Sequence, residues 1–199
     1  MGIIEEKKKK KENDIMESAL TIFKEKGIEK TSIRDIMTKS GYGLGTFYLY
    51  FKDKEDLKEK VVLEKAMEVV IQGEMKCFQK DPIDRYIAFV NYIMDYFVSH
   101  PFELDLISEN LNWALFTKIE NDVRLQEADS TLQFILNKYE KLFPVRYSEA
   151  QQLYILSLTL EIMVSTCKLA VREDSILTLE EMKPVLFGVI KKIFNNNGR

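Results

Sequence analysis

Apolar side chains recur at intervals of three and four residues along most of the chain, and the alternating pattern of a strand is not sustained anywhere beyond a few residues. Intervals of three and four place side chains on one face of an α-helix. Four prolines and eight glycines in 199 residues also leave little room for the many turns of a β fold. The pattern therefore predicts an all-α protein of one or two domains, long enough to bury a core.

Residues 31–57 are predicted to form two short helices joined by a tight turn, followed by the start of a third helix. Ser32 and Asp35 have the spacing of a capping box, in which each side chain binds a free N–H at the start of a helix. A Gly-Tyr-Gly turn interrupts the helical pattern, because glycine tolerates the backbone angles of a sharp turn. Phe47 and Phe51 then lie one helical turn apart, and we expect both to face inward. Such an arrangement lays its second helix in the major groove of DNA.

The same residues resemble the DNA-binding domain of the tetracycline-repressor (TetR) family of bacterial transcription regulators. Three blocks match in order and at the family's spacing between about residues 15 and 57, namely ALTIFKEKGIEKTSIRDI, SGYGLGTFYLYF and KDKEDL. The resemblance implies the architecture of a repressor. By this resemblance, residues 1–54 form a three-helix helix-turn-helix DNA-binding domain. Residues 55–199 then form a larger helical effector-binding and dimerisation domain.

The residue types in the predicted helix-turn-helix suggest which side chains contact DNA. Arg34 can form a bidentate contact with guanine, and Thr46 is small enough to approach a base edge or a thymine methyl. Tyr48 and Tyr50 carry hydroxyls suited to phosphates, and Lys54 at a helix start can bind a phosphate together with free N–H groups. The predicted DNA contacts are Ser32, Arg34, Gly43, Leu44, Gly45, Thr46, Tyr48, Tyr50 and Lys54.

Two positions depart from the family pattern. A hydroxyl residue commonly opens the family's recognition helix, where this chain has Gly43, and the next position is often basic or polar, where this chain has Leu44. Neither Leu44 nor the glycine after it has a side chain that can donate a hydrogen bond. Sequence preference is therefore expected to depend on Arg34, Thr46 and the shape of the DNA.

The chain is acidic as a whole, with 29 basic and 32 acidic residues, but its charge is unevenly distributed. Residues 1–60 carry 14 basic and 12 acidic side chains, whereas residues 61–199 carry 15 and 20. The small basic excess in the first part agrees with phosphate contact by the helix-turn-helix. Residues 7–11 are five lysines, which form either an arm that reaches DNA or a solvated helix end.

The helical pattern continues from Lys54 to about Lys80 without a strong breaker. It predicts a long helix that runs from the first domain into the second and ends before Pro82. Beyond it, residues 86–143 are rich in aromatic side chains. These side chains either line a pocket for an apolar small molecule or form ordinary core at helical spacing. The candidate pocket residues are Phe89, Tyr92, Tyr96, Trp113, Phe116 and Phe134.

Residues 148–172 are predicted to form a helix with one polar stripe and apolar side chains over the rest of its circumference. Such a helix must be covered on more than one side, and a partner subunit is the simplest cover. A last helix is predicted to begin at the capping pattern of Thr178 and Glu181, so that two helices from each chain would form a four-helix dimer interface. The predicted interface residues are Leu156, Leu160, Met163, Val164, Leu186, Val189, Ile190 and Ile193.

The sequence contains no constellation typical of an enzyme. Its single histidine, His100, has no other metal ligand of the Cys or His type close in sequence. Cys77 and Cys167 lie far apart in apolar surroundings that favour core positions. Phosphate-loop and nucleophile-elbow motifs are missing, so we expect no catalytic activity, metal or cofactor. Because the pattern has no signal peptide and no transmembrane segment, we expect a cytoplasmic protein without membrane contact.

These observations favour a homodimeric, ligand-responsive repressor that binds a roughly palindromic DNA operator and is released by an apolar or aromatic small molecule. The opposite response, in which the ligand promotes DNA binding, stays open. The alternative function is a DNA-bound interaction protein that recruits a protein partner through its C-terminal domain without a small-molecule effector. A third hypothesis is a helical ligand-binding protein that never contacts DNA.

Overall fold

The structure, a computed structural model, describes residues 3–109, 142 and 147–195. Within these ranges the regular elements are helices and no strand occurs, which confirms the predicted all-α class. The helices are α1 (Ile3–Lys26), α2 (Ile33–Ser40), α3 (Leu44–Phe47), α4 (Lys54–Glu74), α5 (Pro82–Ser99), α6 (the helical residues 101–109), α7 (Glu149–Ala170) and α8 (Leu179–Asn195). The chain divides into two compact units, Met1–Ala66 and Met67–Arg199. In the described part of the chain, we find no helix with the length and apolar character needed to cross a membrane.

The first unit consists of α1, α2, α3 and the first part of α4, which share a small apolar core. The core residues that are at most 2% exposed are Ile15, Ala19, Phe23, Ile36, Met37, Phe47, Phe51 and Leu57. Gly27 ends α1 with a φ of 83°, and its N–H donates to the carbonyl of Phe23 at 2.9 Å. This is the left-handed conformation in which glycine closes a last helical turn. The lysines at residues 7–11 lie within α1 and are exposed.

The first unit extends into α4 beyond the domain boundary predicted between residues 54 and 55. Leu57 and Val61 in α4 are 0% and 3% exposed. Burial of such apolar side chains is the main favourable contribution to folding. The start of α4 is therefore part of the core of the first unit.

In the second unit, α5 contacts both α7 and α8, and those two helices also contact each other. The buried side chains of α5 are Tyr86, Phe89, Val90, Ile93, Met94 and Phe97. The Tyr86 hydroxyl shares a hydrogen bond with the hydroxyl of Thr159 in α7, and its ring packs edge-to-face on Phe194 in α8 at a centroid distance of 5.4 Å. Burial raises the pKa of Tyr86 to about 12, although the bond to Thr159 opposes this shift, so the phenol stays neutral.

A buried lysine connects α8 to α5. Lys183 is 7% exposed, and its Nζ lies 2.5 Å from Asp95 Oδ1 and 2.7 Å from Glu180 Oε1. Burial lowers the pKa of Lys183, but the bonds to the two carboxylates outweigh burial and the net shift is upward. The ammonium group therefore stays charged and holds the two helices together.

The predicted helix from Lys54 to about Lys80 is too long, because α4 ends at Glu74. The N–H of Lys76 donates to the carbonyl of Gly73 at 3.1 Å and that of Cys77 to Glu74 at 3.2 Å, a three-residue spacing that tightens the chain after the last turn. Asp81 belongs to the next helix instead. Its carboxylate accepts bonds from the N–H groups at the start of α5, and Pro82 is the first residue of that helix.

Gly73, near the end of α4, allows a close approach to α5. A Cβ atom at this position would lie 2.9 Å from Cδ1 of Tyr92 and 3.1 Å from two ring carbons of Phe89. Both distances are shorter than ordinary van der Waals contacts. The packing of α4 on α5 therefore depends on the missing side chain.

We expect Gly73→Ala to lower the free energy of unfolding by up to about 2 kcal/mol, because overpacking costs about 1–3 kcal/mol and the better helix propensity of alanine returns about 1 kcal/mol. Tyr92→Ala removes the ring carbon nearest to the new methyl group, so the same substitution should cost less in that background. Urea denaturation of the four proteins of this double-mutant cycle measures the difference. If Gly73→Ala lowers stability equally with and without the Tyr92 ring, contact with that ring is not the reason for glycine at this position.

Candidate nucleic-acid interface

α2 begins with the predicted capping box. The N–H of Asp35 donates to Ser32 Oγ at 3.2 Å, and the N–H of Ser32 donates to Asp35 Oδ2 at 2.8 Å. The Ser32 hydroxyl also donates to Asp35 Oδ2 at 2.6 Å. These bonds fix the start of α2, and in them the N–H and the hydroxyl of Ser32 both bond to Asp35. A DNA contact from Ser32 stays a prediction.

A lysine from the end of α1 joins this cap. Lys26 Nζ lies 2.6 Å from Asp35 Oδ2. This bond, followed by the bonds from Ser32, holds the pKa of Asp35 well below its usual range, so the carboxylate stays charged and links α1 to α2. Sequence reasoning missed Lys26, because no local spacing relates residues on two different helices.

The turn after α2 is closed by Gly41, whose φ is 75°. A residue with a side chain would be strained in this left-handed conformation. The N–H of Tyr42 donates to the carbonyl of Met37 at 3.2 Å, and its hydroxyl donates to Asp14 Oδ2 at 2.7 Å. The bond to Asp14 raises the pKa of Tyr42 and ties the turn to α1. Hydrogen bonds to α1 and to α2 therefore fix the position of the turn.

α3 has only four residues, and two phenylalanines anchor it in the core of the first unit. Phe47 and Phe51 are 0% and 2% exposed, and their ring centroids lie 5.4 Å apart, which confirms that both face inward. Leu44, Tyr48 and Leu49 are instead 46%, 60% and 74% exposed. We call these three side chains the α3 surface. It is apolar and aromatic in character and is carried on a firmly anchored segment.

The other predicted DNA contacts differ in exposure. The exposed ones besides the α3 surface are Ser32, Arg34, Gly43 and Gly45, whereas Thr46, Tyr50 and Lys54 are half-buried. Lys60 Nζ donates to the Tyr50 carbonyl at 3.1 Å and lies 3.2 Å from Glu12 Oε1. This lysine, which sequence reasoning also missed, fixes the end of the turn after α3 to α1 and α4.

Lys54 is the first residue of α4, as predicted, and its ammonium group is bonded within the first unit. Its Nζ donates to the carbonyls of Ile28, Thr31 and Glu29, at 3.0, 3.1 and 3.5 Å. An ammonium group has three hydrogens to donate, and here all three are directed at the turn between α1 and α2. Lys54 therefore holds α4 against that turn, and its contact with a phosphate stays a prediction.

Three of the predicted pocket residues lie on α5 and are engaged in packing within the second unit. Phe89 is buried, and the hydroxyl of Tyr92 donates to Gln72 Oε1 at 3.0 Å. Tyr96 stacks on His100 with ring centroids 4.2 Å apart. The other three, Trp113, Phe116 and Phe134, lie outside the described residues. An effector pocket stays a prediction.

The structure divides the predicted dimer interface into two groups. The residues that are at most 6% exposed within the single chain are Leu156, Met163, Leu186 and Ile190. They are core residues rather than interface residues, because they pack inside one chain. Leu160, Val164 and Ile193 are half-buried, and Val189 is 45% exposed. The exposed apolar and aromatic side chains of this region are Tyr154, Leu169, Ile176, Leu177, Val185 and Val189, which we call the α7–α8 surface.

A capped helix, a glycine-closed turn and a short anchored helix with an exposed face define a helix-turn-helix, a class of domain that binds DNA in the major groove. Residues 15–61 match the model of the family described as bacterial regulatory proteins, tetR family. Residues 15–61 therefore form a DNA-binding domain of this family of regulatory proteins.

Curated relatives are regulators of the helix-turn-helix type. YfiR, an uncharacterised HTH-type transcriptional regulator of Bacillus subtilis, is 37% identical over 60 residues, which are 30% of this chain and 29% of that protein. An HTH-type transcriptional regulator of Staphylococcus aureus is 31% identical over 137 residues, 67% of this chain and 63% of that protein. The chain thus spans less than two thirds of the length of these relatives.

Solved structures share the fold along nearly the whole chain. A structure described as a TetR-family transcriptional regulator from Syntrophomonas wolfei has a TM-score of 0.63 at 25% identity and covers 94% of this chain and 96% of that chain. The fatty acid degradation regulator FadR from Bacillus halodurans has a TM-score of 0.58 at 17% identity, with 90% and 94% covered. At this identity, the similarity to FadR shows a shared fold only.

We expect Lys54→Met to lower the free energy of unfolding by about 1–3 kcal/mol, because the carbonyls around Nζ would lose a charged donor while methionine keeps most of the aliphatic stem. Lys52→Met is the matched control, since Lys52 is an exposed lysine two residues earlier, and it should change stability by less than about 0.5 kcal/mol. Urea denaturation compares the two variants. If Lys54→Met keeps its stability but binds DNA more weakly, the role of this residue is the phosphate contact and not the bonds to the turn.

Proposed function

We propose that this protein is a transcription regulator that binds operator DNA as a homodimer, acts as a repressor, and is released by a small molecule bound in its second unit. The observation that carries the proposal is the α3 surface. Its side chains are exposed although two of them, Leu44 and Leu49, are aliphatic, and α3 is held in place by Phe47 and Phe51. A well-anchored segment with an exposed recognition face is what a helix-turn-helix needs to enter the major groove.

The charges around the α3 surface support a position against the DNA backbone. Arg34 on α2 is exposed, and so are Lys30 before α2 and Lys52 after α3. Basic side chains at the edges of a recognition helix contact phosphates and set its register on the duplex. Each such contact releases counterions, so we expect affinity to fall steeply as the salt concentration rises.

The α7–α8 surface supports the dimer. Ile176 and Val185 are 93% and 68% exposed, which is costly for apolar side chains that stay in water. A second copy of the same surface, related by a twofold axis, would cover it. Two helix-turn-helix domains in one dimer would then bind the two half-sites of a roughly palindromic operator.

The effector is proposed to be an apolar or aromatic small molecule. Support comes from the resemblance to the family and from the aromatic side chains of residues 86–143, five of which lie on α5. A ligand of this kind releases DNA only if it binds more tightly to the conformation of the dimer that does not fit the operator.

One observation favours the alternative, in which the protein recruits a protein partner without an effector. Ile71, Met75 and Phe78, at and beyond the end of α4, are 46%, 70% and 80% exposed. Exposed apolar side chains of this kind are typical of surfaces that bind other proteins. Under this alternative, Met75→Asp would abolish regulation in cells while leaving DNA binding intact.

We expect Arg34→Ala to weaken binding to duplexes selected from a random library by about fivefold to 150-fold for each half-site, the range expected for one lost bidentate contact to guanine. Arg172→Ala is the matched control. It removes the same charge from an exposed arginine of the second unit, which binds Asp174 at 2.7 Å, and it should leave affinity within about twofold of the original protein. Fluorescence anisotropy at several salt concentrations measures both variants. Equal losses would contradict a direct contact by Arg34, and a selection that returns no duplex would overturn the proposed function.

We expect Val185→Asp combined with Val189→Asp to convert the dimer into monomers, because two charges would be brought into an interface related by symmetry. Met75→Asp, which places a charge on an exposed apolar position outside the α7–α8 surface, should leave the dimer intact. Sedimentation equilibrium gives the mass of each variant. A dimer that persists in the double variant at micromolar concentration would move the interface elsewhere.

A further inference from the structure

The segment that forms the turn and α3 has an unusual chemistry for a DNA-reading element. Residues 40–51 contain no arginine, lysine, asparagine, glutamine, histidine, aspartate or glutamate. Side chains of the first four types make the bidentate contacts that identify guanine and adenine in the major groove. The α3 surface therefore cannot recognise either purine in that way.

Leu44 is the side chain of this segment that is best placed for a base edge. It is the first residue of α3 and is 46% exposed. The N-terminal residues of a recognition helix are those that reach the bases, whereas Tyr48 and Leu49 follow the end of α3. An aliphatic side chain offers a base edge apolar contact only, and the apolar feature of the major groove is the C5 methyl group of thymine.

The glycines on both sides of Leu44 are not required by the fold. Gly43 has a φ of −68° and Gly45 is not among the described glycines with a positive φ. A Cβ atom at either position would meet nothing within 4 Å. Gly41, two residues before Gly43, differs because its φ of 75° does require glycine. Neither the backbone angles nor the packing requires glycine at these two positions. Glycine also allows the backbone to approach a ligand closely, and this use is open to both residues.

We propose that Leu44 determines operator specificity by contacting a thymine C5 methyl group in the major groove, with Gly43 and Gly45 allowing the backbone of α3 to approach the base pairs. This inference rests on the proposed function. It replaces the expectation that Thr46 provides the thymine contact, since Thr46 is half-buried beside the anchoring Phe47. The operator half-site then contains a thymine that is recognised by its methyl group.

Duplexes selected from a random library by the intact protein test this inference. Thymine is replaced by uracil one position at a time, symmetrically in both half-sites, which removes the methyl group and keeps the base pairing. At one position the original protein should lose roughly fourfold in affinity for each methyl, or about 15-fold for the two half-sites together. In Leu44→Ala the thymine and uracil duplexes should bind within about twofold of each other, because the partner of the methyl group is gone.

Leu49→Ala is the matched control, because it shortens an even more exposed leucine in the turn after α3. It should keep the preference for thymine over uracil at the position read by Leu44. A thymine preference that survives in Leu44→Ala, or that is absent in the original protein, would overturn the inference and leave the proposed function standing, since the duplex is still bound. A selection that returns no duplex would overturn both.

Gly45→Ala tests the close approach separately from folding. Alanine is a better helix former than glycine and has space here, so the variant should unfold at the same temperature as the original protein or a higher one. Its affinity for the selected duplex should nevertheless fall by about tenfold or more if the new methyl group holds the backbone away from the bases. Unchanged affinity would overturn this part of the inference.

Discussion

A helix of four residues does not form by itself in water, because the first hydrogen-bonded turn costs more conformational entropy than it returns. α3 has that length, and it exists because Phe47 and Phe51 are buried in the core of the first unit. Their burial holds the exposed side of α3 in one orientation. The exposure of Leu44, the choice of residues that can meet a base, and the inference about thymine all depend on this anchoring.

Polar contacts between helices complete what the phenylalanines begin. Lys26 with Asp35, and Tyr42 with Asp14, attach α2 and the following turn to α1, while Lys54 attaches α4 to the turn before α2. Each contact joins segments that are separate in sequence, so the short elements of the first unit are positioned by several independent constraints. A recognition segment fixed in this way loses little further conformational freedom on binding DNA, which favours affinity.

The second unit follows a different principle, with long helices packed through large buried side chains. Among the described residues of this unit, α5 supplies most of the buried aromatic side chains. Lys183, whose pKa is raised by its bonds to two carboxylates, adds a charged connection between α8 and α5. The outer sides of α7 and α8 keep apolar residues exposed, such as Val185 and Val189. Side chains buried within one chain, together with an apolar outer surface, are what the proposed pairing of two copies requires.

The sequence by itself determined the helical class, the cap of α2 by Ser32 and Asp35, the glycine ends of α1 and α2, and the inward position of Phe47 and Phe51. These are local features, because caps, turns and helical spacing involve residues within one or two turns of each other. The tertiary structure decided the end of α4 and the role of Lys54, whose hydrogen bonds reach the turn between α1 and α2. It also decided which apolar side of α7 and α8 is core, since Leu156 and Ile190 are buried while Val189 is exposed. A helical repeat shows that a side is apolar, but only the packed neighbours determine whether that side faces the protein's own core or the outside.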